Sequence, residues 1–200
     1  MTAAHCASGC STFEVRAGAL RNEGGQNVIS KHAIVHENYD SRLLNNDIAL
    51  IMLPEDLTGE NIGAFRLPSF SMIGLTFAGR KARVSGWGRT SDSSNGLSKD
   101  LKFVDVIVIP NYICEQMYAV ITYSQMCAGT NWGTVGVCYG DSGGPMTVFE
   151  SDGKATQIGI ASFVSTRGRC QHTHAHGFTR VTEFLYWVER NAGVKIRQNI

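Results

Sequence analysis

The sequence predicts an all-β fold, built as a sandwich or barrel of short strands. Two observations predict it: short runs in which apolar and polar residues alternate, and turn-forming residues between those runs. The chain has 200 residues, of which 43% are apolar and 9% aromatic, which suits one globular unit with a substantial core. Such a unit can be built as two small subdomains.

The first group of predicted strands precedes residue 68. Apolar and polar residues alternate in three runs, at residues 13–16, 33–35 and 48–53, which Gly24-Gly25 and Asn45-Asn46 separate. Leucine, proline and serine at residues 67–69 then interrupt the pattern. We therefore expect residues 1–68 to form a first β-rich subdomain and residues 69–200 a second.

The second group of predicted strands covers residues 81–85, 102–109, 146–149 and 157–161. Residues 86–96 are rich in glycine, serine and asparagine, which favours an exposed loop between two of these strands. A short helix is predicted at residues 111–117, because this segment follows Pro110 directly.

A C-terminal helix is predicted over about residues 182–192. Four apolar residues fall on one face of this segment, namely Phe184, Leu185, Trp187 and Val188. Thr182 can cap the start of the helix, and Gly193 lies just beyond its end. We expect the apolar face to dock on the β core.

The charge balance excludes two classes of partner. With 18 basic and 17 acidic residues, the formal net charge of +1 provides no global field for nucleic acid or an anionic membrane surface.

The six cysteines lack the paired short spacings of a zinc knuckle, so they indicate disulfides in a secreted, extracellular protein. Because the chain opens without a signal peptide, we expect an upstream segment to be missing.

A serine between glycines and beside an acid indicates a nucleophile at Ser142, within the stretch GDSGGP at residues 140–145. A serine hydroxyl needs a base to take its proton and donors to stabilise the oxyanion. His5, among small residues, and Asp47, at the mouth of an apolar strand, can supply the base and a second carboxylate. Taken singly, His5 is typical of a hydrogen-bonded imidazole and Asp47 of a turn residue.

Five motifs in order give these residues a common context. They are TAAHC at residues 2–6, NNDIAL at 45–50, SGWG at 85–88, GDSGGP at 140–145 and GFTRV at 177–181. With them, nearly the whole chain resembles the chymotrypsin-like (trypsin-fold) serine endopeptidases, whose triad is the best-studied of its kind. The resemblance implies two antiparallel six-stranded β-barrels and a C-terminal helix, with the first barrel incomplete here.

The resemblance also implies the roles of the site residues. Ser142 would attack the scissile carbonyl, His5 would act as base and then acid, and Asp47 would hold the imidazole tautomer. The backbone N–H groups of Gly140 and Ser142 would form the oxyanion hole. Asp141 would pair with a new amino terminus released by zymogen cleavage. Without that partner, the chain is expected to be incomplete, zymogen-like or inactive.

The same resemblance implies two disulfides, Cys114 with Cys127 and Cys138 with Cys170. The family's partner for Cys6 lies upstream of residue 1, and Cys10 matches no position of the family. Cys10 lies four residues after Cys6. It can therefore pair with Cys6, pair with an absent cysteine, or remain a free thiol.

Counting from Ser142, the resemblance places Gly136 at the base of the primary pocket, where trypsins carry an aspartate. Val164 would narrow the entrance, and His176 would lie at the back. The full set of expected substrate-binding residues is Gly136, Val137, Tyr139, Ser162, Phe163, Val164 and His176. Small or medium apolar P1 residues are expected first and large aromatics second. Arg and Lys are disfavoured unless His176 acts as a neutral acceptor, because a buried cation without a counter-charge is costly.

No metal or cofactor is expected. His172, His174 and His176 alternate and would share one face of a strand, a pattern that could hold zinc, but the family places an irregular loop there. Residues 18–25, where some relatives bind calcium, carry only Glu23, and calcium requires six or more oxygen ligands.

The sequence therefore predicts a secreted serine endopeptidase, expected to be a monomer. Its partners would be protein or peptide substrates and possible protein inhibitors, without nucleic acid or membrane. The alternative is a non-catalytic homologue that binds a partner through the same surface. That alternative predicts a broken triad or oxyanion hole, and His5, Asp47 and Ser142 are all present.

Overall fold

A computed structural model describes residues 1–164 and 169–199. In chain order its strands are β1 (Phe13–Ala17), β2 (Gln26–Ser30), β3 (Ala33–Val35), β4 (Ala49–Ile51), β5 (Lys81–Gly86), β6 (Lys102–Ile109), β7 (Gln125–Gly129), β8 (Pro145–Phe149), β9 (Ala155–Phe163) and β10 (His176–Arg180). The α-helices are α1 (Ala4–Ala7), α2 (Asn111–Cys114) and α3 (Leu185–Ala192). The predicted all-β class is confirmed.

Six strands close into a barrel in the order β10-β7-β6-β5-β8-β9, with every pair antiparallel. Alternate residues of these strands point inward, and the fully buried Met126, Met146, Ile158 and Phe178 form the centre of its core. Closure leaves the six strands without an unpaired edge, which removes a surface prone to aggregation. The barrel is the rigid support for the loop that carries Ser142.

The amino-terminal part contains two separate two-stranded sheets, β1 with β2 and β3 with β4. Thr2 forms an antiparallel bridge with Ala49 at the start of β4, and this bridge holds α1 beside that strand. A second core cluster joins Ala3 and Ile48 to Ile160 of β9 and Leu185 of α3. The segments that carry His5 and Asp47 are therefore packed directly on the barrel and the C-terminal helix.

The C-terminal helix begins later than the sequence predicts. Residues Val181–Phe184 form a 3₁₀ turn, and α3 follows as Leu185–Ala192. Thr182 does not cap it, because this residue is buried and its Oγ1 has no hydrogen-bond partner among the described residues. Gly193 ends the helix as expected, with φ +65° and its N–H donating to the Glu189 carbonyl. No helix within the described part of the chain is long and apolar enough to cross a membrane.

Three strands, β2, β7 and β10, have no counterpart in the sequence prediction. Residues of β7 and β10 are buried on both faces, with one partly exposed residue at the end of β7. Strands enclosed on both sides do not show the alternation of apolar and polar residues on which the prediction relied. His176 is the first residue of β10, whereas the resemblance implied an irregular loop at this position.

Candidate active site

Asp47 and His5 form a tightly bonded pair. Asp47 is fully buried; its Oδ1 accepts the backbone N–H of His5 at 2.8 Å, and its Oδ2 lies 2.8 Å from His5 Nδ1. The hydroxyl of Ser162 donates to the same Oδ2 at 2.6 Å. Three donors therefore surround a carboxylate that has no access to water, which satisfies a buried charge.

Distant segments fix the backbone around Asp47. The N–H of Thr2 donates to the Ala49 carbonyl and the N–H of Ala49 donates back, each at 2.8 Å. The Thr179 hydroxyl in β10 donates to the Asp47 carbonyl at 2.7 Å. The amino-terminal part and the barrel thus hold the carboxylate from two sides, which leaves its orientation little freedom.

The environment of His5 favours its protonated form. The hydrogen bond with Asp47, followed by the interaction with the Cys6 side chain, raises the pKa of His5 to about 10, against the opposing effect of burial. With Nδ1 donating to Asp47, Nε2 is the nitrogen left to exchange a proton with a substrate or nucleophile. The His5 side chain is 27% exposed, so that nitrogen can be reached.

Ser142 lies on an exposed turn that precedes β8. The turn is tied to β9, because Gly143 N–H donates to the Ala161 carbonyl at 2.8 Å and Ala161 N–H donates to the Gly144 carbonyl at 2.9 Å. A Cβ on Gly143 would overlap with Oγ1 of Thr2, so this turn packs against the segment that carries His5. Ser142 Oγ makes no hydrogen bond to His5 or to any other described residue.

The predicted oxyanion-hole donors lie on the same turn. Gly140 has φ +94°, a left-handed conformation that glycine tolerates, and a Cβ there would overlap with the Leu97 side chain. The left-handed backbone and the close contact with Leu97 therefore explain why this position is a glycine. Within residues 1–164 and 169–199, the N–H groups of Gly140 and Ser142 donate to no partner, which leaves both available to a ligand.

Asp141 faces away from the His5–Asp47 pair. Its Oδ1 accepts Gly88 N–H at 2.8 Å and its Oδ2 accepts Cys138 N–H at 2.9 Å. Burial raises the pKa of Asp141, and these two hydrogen bonds only partly oppose that effect. No cationic side chain in the described part of the chain forms an ion pair with Asp141. A cavity of about 210 Å³ lies beside the carboxylate.

A second cavity, of about 200 Å³, opens next to Ser142. Its lining comprises Val137, Cys138, Tyr139, Ser142, Ala161, Ser162, Phe163 and Val164. Five of the seven predicted substrate-binding residues are in this set, together with Cys138 and Ala161, which the prediction omitted. Gly136 and His176 are not in the lining.

Gly136 and His176 lie against each other. Gly136 has φ +141°, and a Cβ on it would overlap with Nδ1 and Cε1 of the His176 ring. His176 Nδ1 accepts Val137 N–H at 3.0 Å, and Nε2 lies 3.1 Å from the Cys170 carbonyl. Since Nδ1 accepts, the proton is on Nε2 and the ring is neutral; burial lowers the pKa of His176 accordingly.

Comparison with known proteins agrees with this arrangement, since the profile of the trypsin family matches residues 1–188. The chain belongs to the trypsin family. It is 37% identical over 199 residues to brachyurin from Leptuca pugilator, covering 97% of this chain and 83% of that protein. It is 36% identical over 197 residues to a collagenase from Hypoderma lineatum, covering 97% and 72% respectively. A solved structure of HL collagenase superposes with a TM-score of 0.87 at 36% identity, covering 98% of this chain and 82% of that chain.

Members of the trypsin family are serine endopeptidases, hydrolases that act on protein substrates. In this trypsin-family chain, Ser162 has a contact that the sequence analysis missed, because it was predicted only to line the pocket. It also bonds Asp47, which is 115 residues away along the chain. No local pattern can indicate a pair at that separation.

Two disulfides stabilise this trypsin-family domain, Cys114–Cys127 and Cys138–Cys170. These are the two pairings that the resemblance implies. Cys6 and Cys10 are not bonded to each other; both are free thiols, with Cys6 partly buried and Cys10 exposed.

The three alternating histidines do not share one site in this trypsin-family domain. The rings of His172 and His174 contact each other edge to face, with centroids 4.3 Å apart. His176 uses both ring nitrogens elsewhere, on Val137 and Cys170. Asp92 does approach Cys138 and Cys170, but those two sulfurs are joined in a disulfide.

Proposed function

We propose that this chain hydrolyses peptide bonds through Ser142, His5 and Asp47. Ser142 Oγ attacks the scissile carbonyl carbon while His5 Nε2 takes the hydroxyl proton. The N–H groups of Gly140 and Ser142 bind the resulting oxyanion. The C–N bond then breaks as His5 returns the proton to the leaving amine, and a water molecule hydrolyses the acyl-enzyme by the same steps.

The observation that carries this proposal is the network of Asp47, His5 and Ser162 at the edge of the cavity beside Ser142. Asp47 holds the imidazole through Nδ1 and stabilises the imidazolium that forms during attack. A packing role alone does not require a buried carboxylate with three donors, since apolar residues of similar volume are often as stabilising as buried ionic groups.

The proposed P1 preference is for small or medium apolar residues, with large aromatics second. The lining that the described residues provide is largely apolar and contains no carboxylate that could neutralise Arg or Lys. His176 Nδ1, the acceptor that the sequence analysis considered for a basic residue, already accepts the N–H of Val137. A buried cation there would remain unpaired, which is costly.

The proposed enzyme requires a cation beside Asp141 for full activity. A half-buried carboxylate with two backbone donors and an adjacent cavity can accept the ammonium group of a processed amino terminus. Two observations support a zymogen-like state as part of this proposal: no described side chain forms an ion pair with Asp141, and Ser142 Oγ is not hydrogen-bonded to His5. We propose that the protein is secreted and monomeric, with protein inhibitors as further partners; its two disulfides support secretion.

The decisive experiment is labelling of the full-length, activated protein with a phosphonofluoridate probe. We expect one adduct, at Ser142, and none in the Ser142→Ala variant, whose folding circular dichroism would verify. A peptide library would then report P1 preference. If the activated protein is not labelled, the chain is a non-catalytic relative. Cleavage chiefly after Arg or Lys would contradict the argument from the cavity.

A further inference from the structure

The two asparagines that precede Asp47 make contacts that the proposed mechanism does not use. Asn46 has a left-handed backbone with φ +54°, and its Nδ2 donates to the Asn38 carbonyl at 2.8 Å. This conformation turns the chain directly before Asp47. Asn45 instead contacts the barrel, so it has a role that the geometry of the turn alone does not explain.

Asn45 Oδ1 accepts hydrogen bonds from two hydroxyl groups in the segment that precedes β7. The Thr122 hydroxyl donates at 2.8 Å and the Ser124 hydroxyl at 2.5 Å. Ser124 is 1% exposed, and its carbonyl accepts the N–H of Arg180 in β10 at 2.8 Å. The amide oxygen of Asn45 therefore satisfies a buried hydroxyl and connects the turn before Asp47 to the closed barrel.

Gln125, the first residue of β7, holds the same turn. It is 2% exposed, and its Nε2 donates to the carbonyls of Leu43 and Leu44, each at 3.1 Å. Leu44 also has a left-handed backbone, with φ +50°, which side chains of its size rarely adopt. Such a conformation persists only where the surrounding contacts impose it. The contacts with the barrel therefore determine the shape of the turn.

The position of this turn matters because the proposed catalytic groups lie on different parts of the chain. His5 and Asp47 belong to the amino-terminal part, whereas Ser142 lies on a turn that precedes β8 of the barrel. The antiparallel bridge at the start of β4 fixes the backbone after Asp47, and Asn45 fixes the backbone before it. Displacement of a reacting group by about 1 Å can reduce a rate about 10²-fold.

We propose that Asn45 is a positioning residue that holds Asp47 in register with His5. It acts through the hydroxyls of Thr122 and Ser124 rather than on the reacting atoms. This inference rests on the proposed function and adds to it a residue outside the triad. Loss of the amide oxygen would leave both hydroxyls without this acceptor and release the turn, so the geometry of the base would change while the barrel stays folded.

Asn45→Leu provides the first test, because it removes the acceptor in a side chain of similar size. In the full-length, activated protein we expect kcat to fall roughly tenfold to 10²-fold, with a smaller change in KM. The Nδ1–H signal of His5 in NMR reports its hydrogen bond to Asp47, and it should broaden or move upfield. An unchanged kcat together with an unchanged His5 signal would overturn the proposal, even if the variant is less stable.

Asn45→Asp is the conservative variant, since its oxygen can accept both hydroxyl protons. It should recover most of the lost kcat and the His5 signal when each protein is measured on its alkaline plateau. The plateau is required because the added negative charge would raise the pKa of His5. No recovery in Asn45→Asp would contradict the role of the acceptor oxygen.

Asn22→Leu is the matched control. Asn22 also connects the amino-terminal part to the barrel, because its Nδ2 donates to the Ser98 carbonyl at 3.1 Å, but this contact does not involve the turn before Asp47. The control should leave both kcat and the His5 signal unchanged. Equal losses in Asn22→Leu and Asn45→Leu would mean that any contact between the two parts has the same effect, which would overturn the proposal.

The barrel side of the contact gives an independent test. Thr122→Val combined with Ser124→Ala removes both donors and should reproduce the loss of kcat. Adding Asn45→Leu to this pair should then reduce kcat little further, because the three residues act as one unit. Additive losses would overturn the proposal, and this pair still decides the matter if Asn45→Leu alone fails to fold.

The two readouts separate this inference from the proposed function. A protein that is never labelled at Ser142 contradicts the proposed function, whereas the His5 signal still tests the role of Asn45. A protein that is labelled at Ser142, but whose kcat and His5 signal do not depend on Asn45, contradicts this inference alone.

Discussion

Asp47 is fully buried and Asp141 is half-buried, and the hydrogen-bond donors around the two carboxylates differ in kind. Asp47 is fully buried and accepts hydrogen bonds from the backbone and ring of His5 and from the Ser162 hydroxyl. Asp141 accepts only from the backbone of Gly88 and Cys138, and no described side chain donates to it. Side-chain donors surround Asp47, whereas a cavity lies beside Asp141.

This difference separates two requirements of the proposed enzyme. The base depends on residues that the packing of both halves brings together, since the His5 and Ser162 donors lie 42 and 115 residues from Asp47. The oxyanion hole depends on the loop that carries Asp141, whose charge is not matched within the described chain. We infer that the pairing of His5 with Asp47 is already formed, whereas the proposed oxyanion hole requires a cation beside Asp141.

Asp47→Asn should cause the largest loss, because it removes the interaction on which the base depends. We expect kcat to fall about 10⁴-fold with little change in KM, the loss known for the same substitution in a trypsin-family triad. The amide presents a donor where the carboxylate presents only acceptors, so it favours the wrong tautomer of His5. Steady-state hydrolysis of a peptide with P1 Ala would measure the effect.

The control for this substitution is Asp40→Asn, at a carboxylate that caps a surface turn through Arg42 N–H. It should leave kcat unchanged. A kcat for Asp47→Asn within tenfold of the unmodified enzyme would mean that Asp47 has only a structural role.

The pH dependence of the unmodified enzyme also tests the pairing of His5 with Asp47. Attack requires neutral His5, and its pKa of about 10 predicts that kcat/KM rises about tenfold per pH unit from neutral into alkaline solution. The effect on stability has the opposite sign. Because folding raises the pKa, this contribution to stability is present below pH 6.5 and is lost as pH rises through about 10.

Rates measured from pH 6 to about 10.5 with an uncharged substrate would provide the profile. The imidazole signal of His5 in NMR, followed over the same range, would assign it. A profile that reaches its plateau near the ordinary histidine pKa of about 6.5 would contradict the strong coupling between His5 and Asp47.

Asp141→Asn tests the second carboxylate of the comparison, to which no described side chain donates. We expect activity to fall about 10²–10³-fold, the typical effect of losing one oxyanion-hole donor, because the neutral amide cannot hold a cation. Without a cation bound, the variant should also melt at a higher temperature at neutral pH. The reason is that burial raises the pKa of Asp141, so its charged form destabilises the fold as pH rises above the usual carboxyl range.

Activity assays and thermal melts of both proteins, with and without an Ile-Val dipeptide as a soluble source of the ammonium group, would provide the data. The dipeptide should raise the activity and the melting temperature of the unmodified chain and affect the variant little. If it acts equally on both proteins, Asp141 is not the acceptor of that cation.

The sequence was sufficient to predict the parts whose pattern is local. The strands at β3 and β6 were predicted with their observed bounds, because they alternate or are rich in β-branched residues. The end of α3 was also predicted, because Gly193 is a local signal for the end of a helix. The late start of α3 was not predictable, because burial of Thr182 against the core, rather than capping, decides it.

The features of the site also differ in whether a local pattern could predict them. Motifs identified His5, Asp47 and Ser142, whereas the bond from Ser162 to Asp47 and the bonds of His176 depend on contacts between distant segments. His176 is the clearest case, since a histidine in a pocket suggests a free acceptor until its hydrogen bonds are known. Residues 165–168, between Val164 and Arg169, lie outside the described residues.

Ser162→Ala should have the smallest effect on activity. It measures directly how much the hydrogen bond from the Ser162 hydroxyl to Asp47 contributes to stability. Asp47 would keep both bonds to His5, so we expect kcat to fall by less than about tenfold, while stability falls by about 1.5–3 kcal/mol, the range for hydrogen bonds to charged groups. Ser30→Ala is the matched control, since the partners of that buried hydroxyl are all neutral: it donates to the carbonyls of Met52 and His32 and accepts the N–H of His32. Its cost should be about 0.5–1.5 kcal/mol, as for neutral partners. Urea unfolding of both variants would compare them, and equal losses would indicate that Asp47 does not depend on the Ser162 donor.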